Sequence, residues 1–286
     1  MTPPLTLAHS PCPNDTFVFH AWTEGLLPEA PEVRLTFADI DVTNGMAARG
    51  ELDVLKISYG ALPHALDDYA LLPCGGALGY GCGPLVLSAG PRGPAALTGA
   101  RIAVPSTSST AYLLFRLWAA EAVPGGIGDI TVLPFHEIMP AVRDGRVDAG
   151  LVIHEARFTY GRHGLHRVAD MGEEWEKLTG LPIPLGAIVA RRSLGEPLLH
   201  RIADAVRDSL RAARRTPTAS RAYVLRHAQE MEPDVVDQHI GLYVNEFTLG
   251  LGRDGLHAVR TLLDRSARLG LLPPLPDGAL EATARL

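Results

Sequence analysis

The sequence predicts an α/β protein with largely parallel sheets. Short apolar, partly β-branched runs alternate with helix-like segments from residue 5 to about residue 191. Only helix-like segments follow, so the C-terminal tract cannot build its own sheet and must pack back on an earlier part of the chain. In addition, polar clusters follow four of the apolar runs. In open α/β sheets that is where ligands bind, beyond the carboxyl ends of the strands.

The elements read in order as follows. "LTLAH" (5–9) is a strand. "NDTFVFHAWTEG" is a helix, with Asn14 or Asp15 as N-cap and Gly25 as its stop. "VRLTFADI" (33–40) alternates as a half-buried strand does, and "VTNGMAARGE" is a short helix. "LDVLKISYGAL" (52–62) is a strand running into a helix. "YALLPCG" and "GPLVLSAG" are short strands flanking a glycine-dense crossover, "GGALGYGCG" (75–83). "ARIAVPSTSSTAYLLFRLWAAEA" (100–122) is strand, loop and helix, with Leu113, Leu114, Leu117 and Trp118 at helical spacing. "ITVLPFHEIMPAVRDGRVDAGLVIH" adds strand, helix and strand, and "GAIVARRSL" is one strand more. Amphipathic helices are expected near 195–213, 217–229, 233–247 and 254–269.

Composition narrows the function. A chain of 286 residues with 47% hydrophobic content can build a large core in one or two domains. A net charge of −6 without a basic stripe argues against nucleic-acid binding. No apolar run has the length of a membrane span, and the N-terminus has no signal-peptide pattern, so a cytoplasmic protein is expected. The three cysteines have no CxxC spacing, which argues against a disulfide framework. Of 26 basic side chains only Lys56 and Lys177 are lysine, so Lys56, at a strand end, stands out.

Four strand ends supply the candidate site. The first carries "SPCPNDTF", a rigid turn whose backbone N–H groups can face an anion. Cys12 there is a nucleophile only if a base is nearby. The second carries Lys56 and Ser58. The third carries "PSTSST", with more hydroxyls than one N-cap needs, which points to a carboxylate or phosphate held at a helix start. The fourth is "GLVIHEARFTYG", where a buried run stops at His154 and Glu155. An imidazole ordinarily titrates near neutrality and so suits general-base work. Neighbouring strand residues face opposite ways, so Glu155 starts the next helix rather than pairing with His154. His163 and His166 form an HxxH without the carboxylate or HExxH context of a metal site. No P-loop, GxGxxG or GxSxG is present. No metal and no cofactor are expected.

"SPCPNDTF", "LKISYGAL", "STAYLL" and "GLVIHEARFTY", in that order, resemble the 1,4-dihydroxy-6-naphthoate synthase family of the futalosine route to menaquinone. The resemblance implies a two-lobed periplasmic-binding-protein-like fold of the second type, with a ligand cleft between the lobes. Residues 1–95 with 192–286 would form the first lobe, and 96–191 the second, carrying the catalytic histidine. It also implies a cofactor-free carbon–carbon lyase acting on cyclic dehypoxanthinylfutalosine. His154 would be the proton acceptor, and Lys56, Ile57, Ser58, Ser109 and Thr110 would bind substrate. Ser10, Asn14 and Ile153 complete the expected binding set. The family pattern has threonine at both positions of the 109–110 pair; Ser109 keeps the hydroxyl and loses a methyl. The partner expected is a small molecule with a carboxylate, met by a monomer or homodimer without nucleic acid or membrane. Two rivals share the fold: a non-catalytic small-anion solute-binding protein, and chorismate dehydratase.

Overall fold

In the computed structural model, which describes residues 3–228 and 232–280, eleven strands form two mixed sheets among the described residues. The strands are β1 (Leu5–His9), β2 (Val33–Phe37), β3 (Val54–Ser58), β4 (Tyr69–Leu71), β5 (Ala77–Gly79), β6 (Leu85–Ser88), β7 (Ile102–Val104), β8 (Ile130–Val132), β9 (Ala149–Val152), β10 (His166–Asp170) and β11 (Ile183–Arg191). The helices are α1 (Pro13–Thr23), α2 (Ile40–Ala48), α3 (Thr110–Ala122), α4 (Phe135–Arg143), α5 (Ala156–Thr159), α6 (Met171–Thr179), α7 (Glu196–Arg215), α8 (Pro217–His227), α9 (Pro233–Tyr243), α10 (Glu246–Leu249) and α11 (Gly252–Arg268).

The first sheet has the order β2-β1-β3-β11-β4, with β5 also pairing with β11. The second has the order β10-β6-β9-β7-β8. The expected parallel pairing holds for β1 with β2 and β3, and for β7 with β8 and β9. It fails at β11, antiparallel to β3, and at β6, antiparallel to β9. Both strands lie where the chain passes from one sheet to the other. A strand arriving from the opposite lobe enters its sheet from the far end, so it runs against its neighbours.

The same two strands correct the expected lobe boundaries. β6, expected in the first lobe, lies in the second sheet; β11, expected in the second, lies in the first. The chain therefore crosses just before Leu85 and returns just before Ile183. Both are apolar runs whose sheet membership depends on distant partners.

Local differences have local causes. The strand expected over 33–40 ends at Phe37, and Ile40 opens α2 with Asp39 as its N-cap residue. The expected helix over 233–247 breaks at Val244, and Asn245 caps α10 with a reciprocal bond to Thr248. Position 229 of the helix expected over 217–229 lies outside the described residues, and α8 stops at His227. The strand β10 and helix α6 have no counterpart among the elements expected from sequence; Asp170 caps α6 through Gly172 and Glu173.

The helical tract does return to the first sheet. Phe19 and Trp22 of α1 pack with Ile202, Val206 and Leu210 of α7, in a core that also holds Leu7 and Val54. Each such large apolar side chain, fully buried, contributes about 1.5–3 kcal/mol. A second core runs through both lobes, from Leu55 and Ile57 to Ile102 and Leu151, and α11 seals it with Val259 and Leu262. Among the described residues no helix is long and apolar enough to cross a membrane.

Candidate active site

The cleft between the sheets has two connected chambers. The inner one is lined by Ser10, Asn14, Asp15, Lys56, Ser58, Ser109, Thr110, His154, His239 and Tyr243, among others. The outer one is lined by Cys12, Asp39, Asp41, Phe135 and His136, among others. Ile40, Ser109, Ile153 and His154 line both. Eight of the nine expected site residues therefore meet in one place. The exception is Ile57. On β3 its side chain points away from those of Lys56 and Ser58, and it lies fully buried in the core.

The first-lobe wall is a closed polar network. Cys12 stands at the N-cap position of α1 and makes no side-chain capping bond, which corrects the expectation that Asn14 or Asp15 caps this helix. Both side chains instead turn into the network. Lys56 Nζ donates to Asp15 Oδ1 at 2.6 Å and Ser10 Oγ donates to Oδ2 at 2.9 Å. Asn14 Nδ2 donates to Asp15 Oδ1 at 2.8 Å. Burial alone would push the Asp15 carboxyl up, but the Lys56 ammonium and the donors around it hold it below the usual range. The Lys56 charge is thus matched within the protein. Its stem passes over Gly186, where an added Cβ would stand 2.9 Å from Lys56 Cε. Asn44 holds Ser58 from both sides: Ser58 N donates to its Oδ1, and its Nδ2 donates to Ser58 Oγ.

The start of α3 forms the second wall. Ser109 is the N-cap: its hydroxyl accepts from Tyr112 N and donates to Ser106 O. Thr110 Oγ1 donates to Leu185 O at 2.7 Å and accepts from Gly60 N at 3.1 Å. Both hydroxyls are engaged structurally, and the cap serves only Tyr112. The backbone N–H groups of Thr110 and Ala111, in the first turn, get no acceptor from it, and both residues border the inner chamber. A 13-residue helix there presents its positive dipole end.

His154 sits where the chambers join. Strand β9 stops at Val152, and His154 adopts φ 55°, the only positive φ outside glycine among the described residues. The turn, not strand alternation, separates it from Glu155, which stands at the N-cap position of α5. Such a conformation costs a residue with a Cβ about 1–2 kcal/mol and persists where its surroundings impose it. Those surroundings include Phe135, edge-on at 5.6 Å between ring centroids, and Cys12, whose sulfur lies 3.6 Å from Nδ1. Arg157 ties the next turn to the crossover, donating to Gly83 O and to the buried Asp170. Burial, then Glu155 and Asp15, push the Cys12 thiol well above its ordinary range. It stays protonated, so it is no thiolate nucleophile. His163 and His166 are exposed, and no metal-holding cluster forms among the described residues.

Comparison with known proteins adds the family. Residues 5–268 match the family model described as menaquinone biosynthesis. A 1,4-dihydroxy-6-naphthoate synthase of Streptomyces coelicolor is 69% identical over 96% of this chain and 97% of the relative. The chain belongs to the 1,4-dihydroxy-6-naphthoate synthase family. A second member, from Thermus thermophilus, is 43% identical over 95% of this chain and 97% of its own. A crystal structure from Archaeoglobus fulgidus superposes with a TM-score of 0.87 at 32% identity, covering 94% of this chain and 98% of that one. An alkanesulfonate-binding protein of Xanthomonas axonopodis bound to MOPS shares the fold, with a TM-score of 0.69 at 15% identity over 94% of each chain. This naphthoate-synthase relative therefore has the periplasmic-binding-protein-like fold, and its family is one of enzymes in menaquinone biosynthesis.

Sequence reasoning passes over Asp15 as a network member, and over Asn44, Leu185, His239 and Tyr243 altogether. Asp15 carries a signal, a carboxylate in a polar cluster at a strand end, but it reads as a cap. His239 is one of 11 histidines, on a helix whose pattern shows only amphipathicity.

Proposed function

We propose that the protein is a carbon–carbon lyase that splits cyclic dehypoxanthinylfutalosine into 1,4-dihydroxy-6-naphthoate and a sugar-derived fragment, with His154 as proton acceptor. The supporting observation is the place of His154: it alone among the imidazoles borders both chambers of the cleft. His136 borders only the outer one and His239 only the inner. A substrate with two parts, one in each chamber, has its connecting bond beside that ring. The Cys12 thiol lies 3.6 Å from Nδ1, a contact in which either group can donate; in the tautomer with hydrogen on Nδ1, Nε2 keeps the lone pair that accepts a proton.

The imidazole takes a proton from a hydroxyl on the sugar side. The oxygen's electron pair forms a carbonyl and the adjacent C–C bond breaks. Its electrons enter the ring system, which becomes aromatic once the proton is returned by the imidazolium. The substrate carboxylate lies at the start of α3, on the N–H groups of Thr110 and Ala111. Lys56 supports this from the network, since its charge already faces Asp15. General-base help contributes about 10²–10⁴-fold, and orientation in the cleft supplies the rest.

The test is direct. Purified protein incubated with the cyclic futalosine derivative yields the naphthoate, followed by its fluorescence. His154→Asn lowers kcat by about 10²–10⁴-fold and keeps substrate affinity. Near-full turnover in that variant overturns the assignment of the base. A tight complex with a small anion and no product would restore the solute-binding reading.

A further inference from the structure

His239 comes from α9, in the helical tract, and reaches the cleft beside residues 225 positions earlier. It is 1% exposed, borders the inner chamber, and lies at 6.2 Å from His154, with the two rings near parallel at 25°. Its tautomer is fixed by a chain of partners. The Asp15 carboxylate only accepts, so the Asn14 amide must turn its NH₂ toward it. The Asn14 carbonyl is then left facing His239 Nε2 at 2.9 Å, and a carbonyl also only accepts. Nε2 therefore carries the hydrogen, and Nδ1 is a lone pair. That Nδ1 is buried and has no hydrogen-bond partner. Burial and the neighbouring His154 push the His239 pKa down to about 3, so the lone pair persists across the physiological range.

A buried acceptor without a donor is costly unless a ligand supplies one. The ligand group that fits is a neutral hydroxyl, because a carboxylate would face lone pair to lone pair. Resting on the functional reading above, we infer that His239 is a specificity-determining residue whose Nδ1 accepts a hydrogen bond from a ring hydroxyl of the naphthoate. The α3 start takes the anion and His239 the hydroxyl, so the ligand fits one way round, with the bond to be broken toward His154. The Lys56–Asp15–Asn14 chain is a positioning device that keeps His239 an acceptor.

The experiment compares two ligands that share the carboxylate: 1,4-dihydroxy-6-naphthoate and unsubstituted naphthalene-2-carboxylate. Each is titrated by ligand fluorescence against wild type, His239→Gln and His239→Asn. Glutamine can place its amide near the Nε2 position and keep Asn14; asparagine can place an acceptor near the Nδ1 position. Wild type should prefer the dihydroxy ligand by about tenfold. H239Q should lose that preference and H239N should retain part of it. If wild type binds both ligands equally, the inference falls while the functional reading stands, and no variant is needed to see it. Preference undiminished in H239Q also overturns it, as does the reverse order of the two variants. Failure of wild type to bind either ligand overturns this inference, while the functional reading falls only if the cyclic substrate gives no product.

Discussion

The two lobes hold their functional groups by opposite means. On the first-lobe side, Ser10, Asn14, Asp15, Lys56 and His239 are buried and joined by hydrogen bonds of 2.6–2.9 Å. On the second-lobe side, His154 is partly exposed, stands on a left-handed turn, and has only a sulfur at 3.6 Å as a polar partner. The first arrangement fixes protonation states and donor directions before a ligand arrives. Under the proposed function, the second leaves the imidazole without a strong hydrogen-bond partner. A site that must both recognise and react gains from this division, because a base locked by strong partners is a poor proton carrier.

The largest effects should come from breaking the rigid side. Lys56→Met leaves the Asp15 carboxylate buried without its counter-charge, and should destabilise the fold by about 3–5 kcal/mol in urea unfolding. Replacing both partners, Asp15→Leu with Lys56→Met, should recover much of that stability but not ligand binding. A double variant as unstable as Lys56→Met would show that the pair is not the source of the loss.

Acid should separate the two sides next. The His239 pKa is about 3 in the fold and near 6.5 in the unfolded chain. Between these values the unfolded chain binds a proton that the fold refuses, so stability is complete above about pH 6.5 and falls below it. The slope is about 1.4 kcal/mol per pH unit for this one group. Urea unfolding at pH 5.5 and 4.5 should show wild type losing more than H239Q by about that amount. His9, also lowered by burial, adds a fall in the same direction in both proteins. Equal losses in the two proteins would place His239's proton elsewhere.

The smallest effect belongs to the second-lobe side. At φ 55°, His154→Gly relieves backbone strain that His154→Ala keeps. The glycine variant should be at least as stable as the alanine variant, by up to about 1 kcal/mol, reversing the usual order of these residues.

The same contrast explains what is legible in the sequence. Strands β1, β3, β7 and β9 are apolar runs with polar residues at their ends, so the rule that ligands bind beyond strand ends is enough to group the four clusters with His154. Strand β11 looks equally clear as a strand, but nothing in "GAIVARRSL" tells which sheet will accept it or in which direction. That is set by pairing with Val54–Ser58, far back in the chain. Asp15 satisfies the pattern of a helix start, and only the arrival of Lys56 shows that its carboxylate is used otherwise. His239 has no local mark at all. Its role depends on Asn14, on the other side of both lobes in sequence, and such long-range partners leave no periodicity.

Strand β11 has a consequence for how the molecule comes into being at the ribosome. It lies between β3 and β4 in the first sheet, yet it is translated after every strand of the second. The second lobe is contiguous and has all its strands once residue 170 has emerged. The first lobe begins earlier but must wait with an open sheet edge until residue 191, and its polar network lacks His239 until α9 follows. The first half to be synthesised is thus the last to be completed.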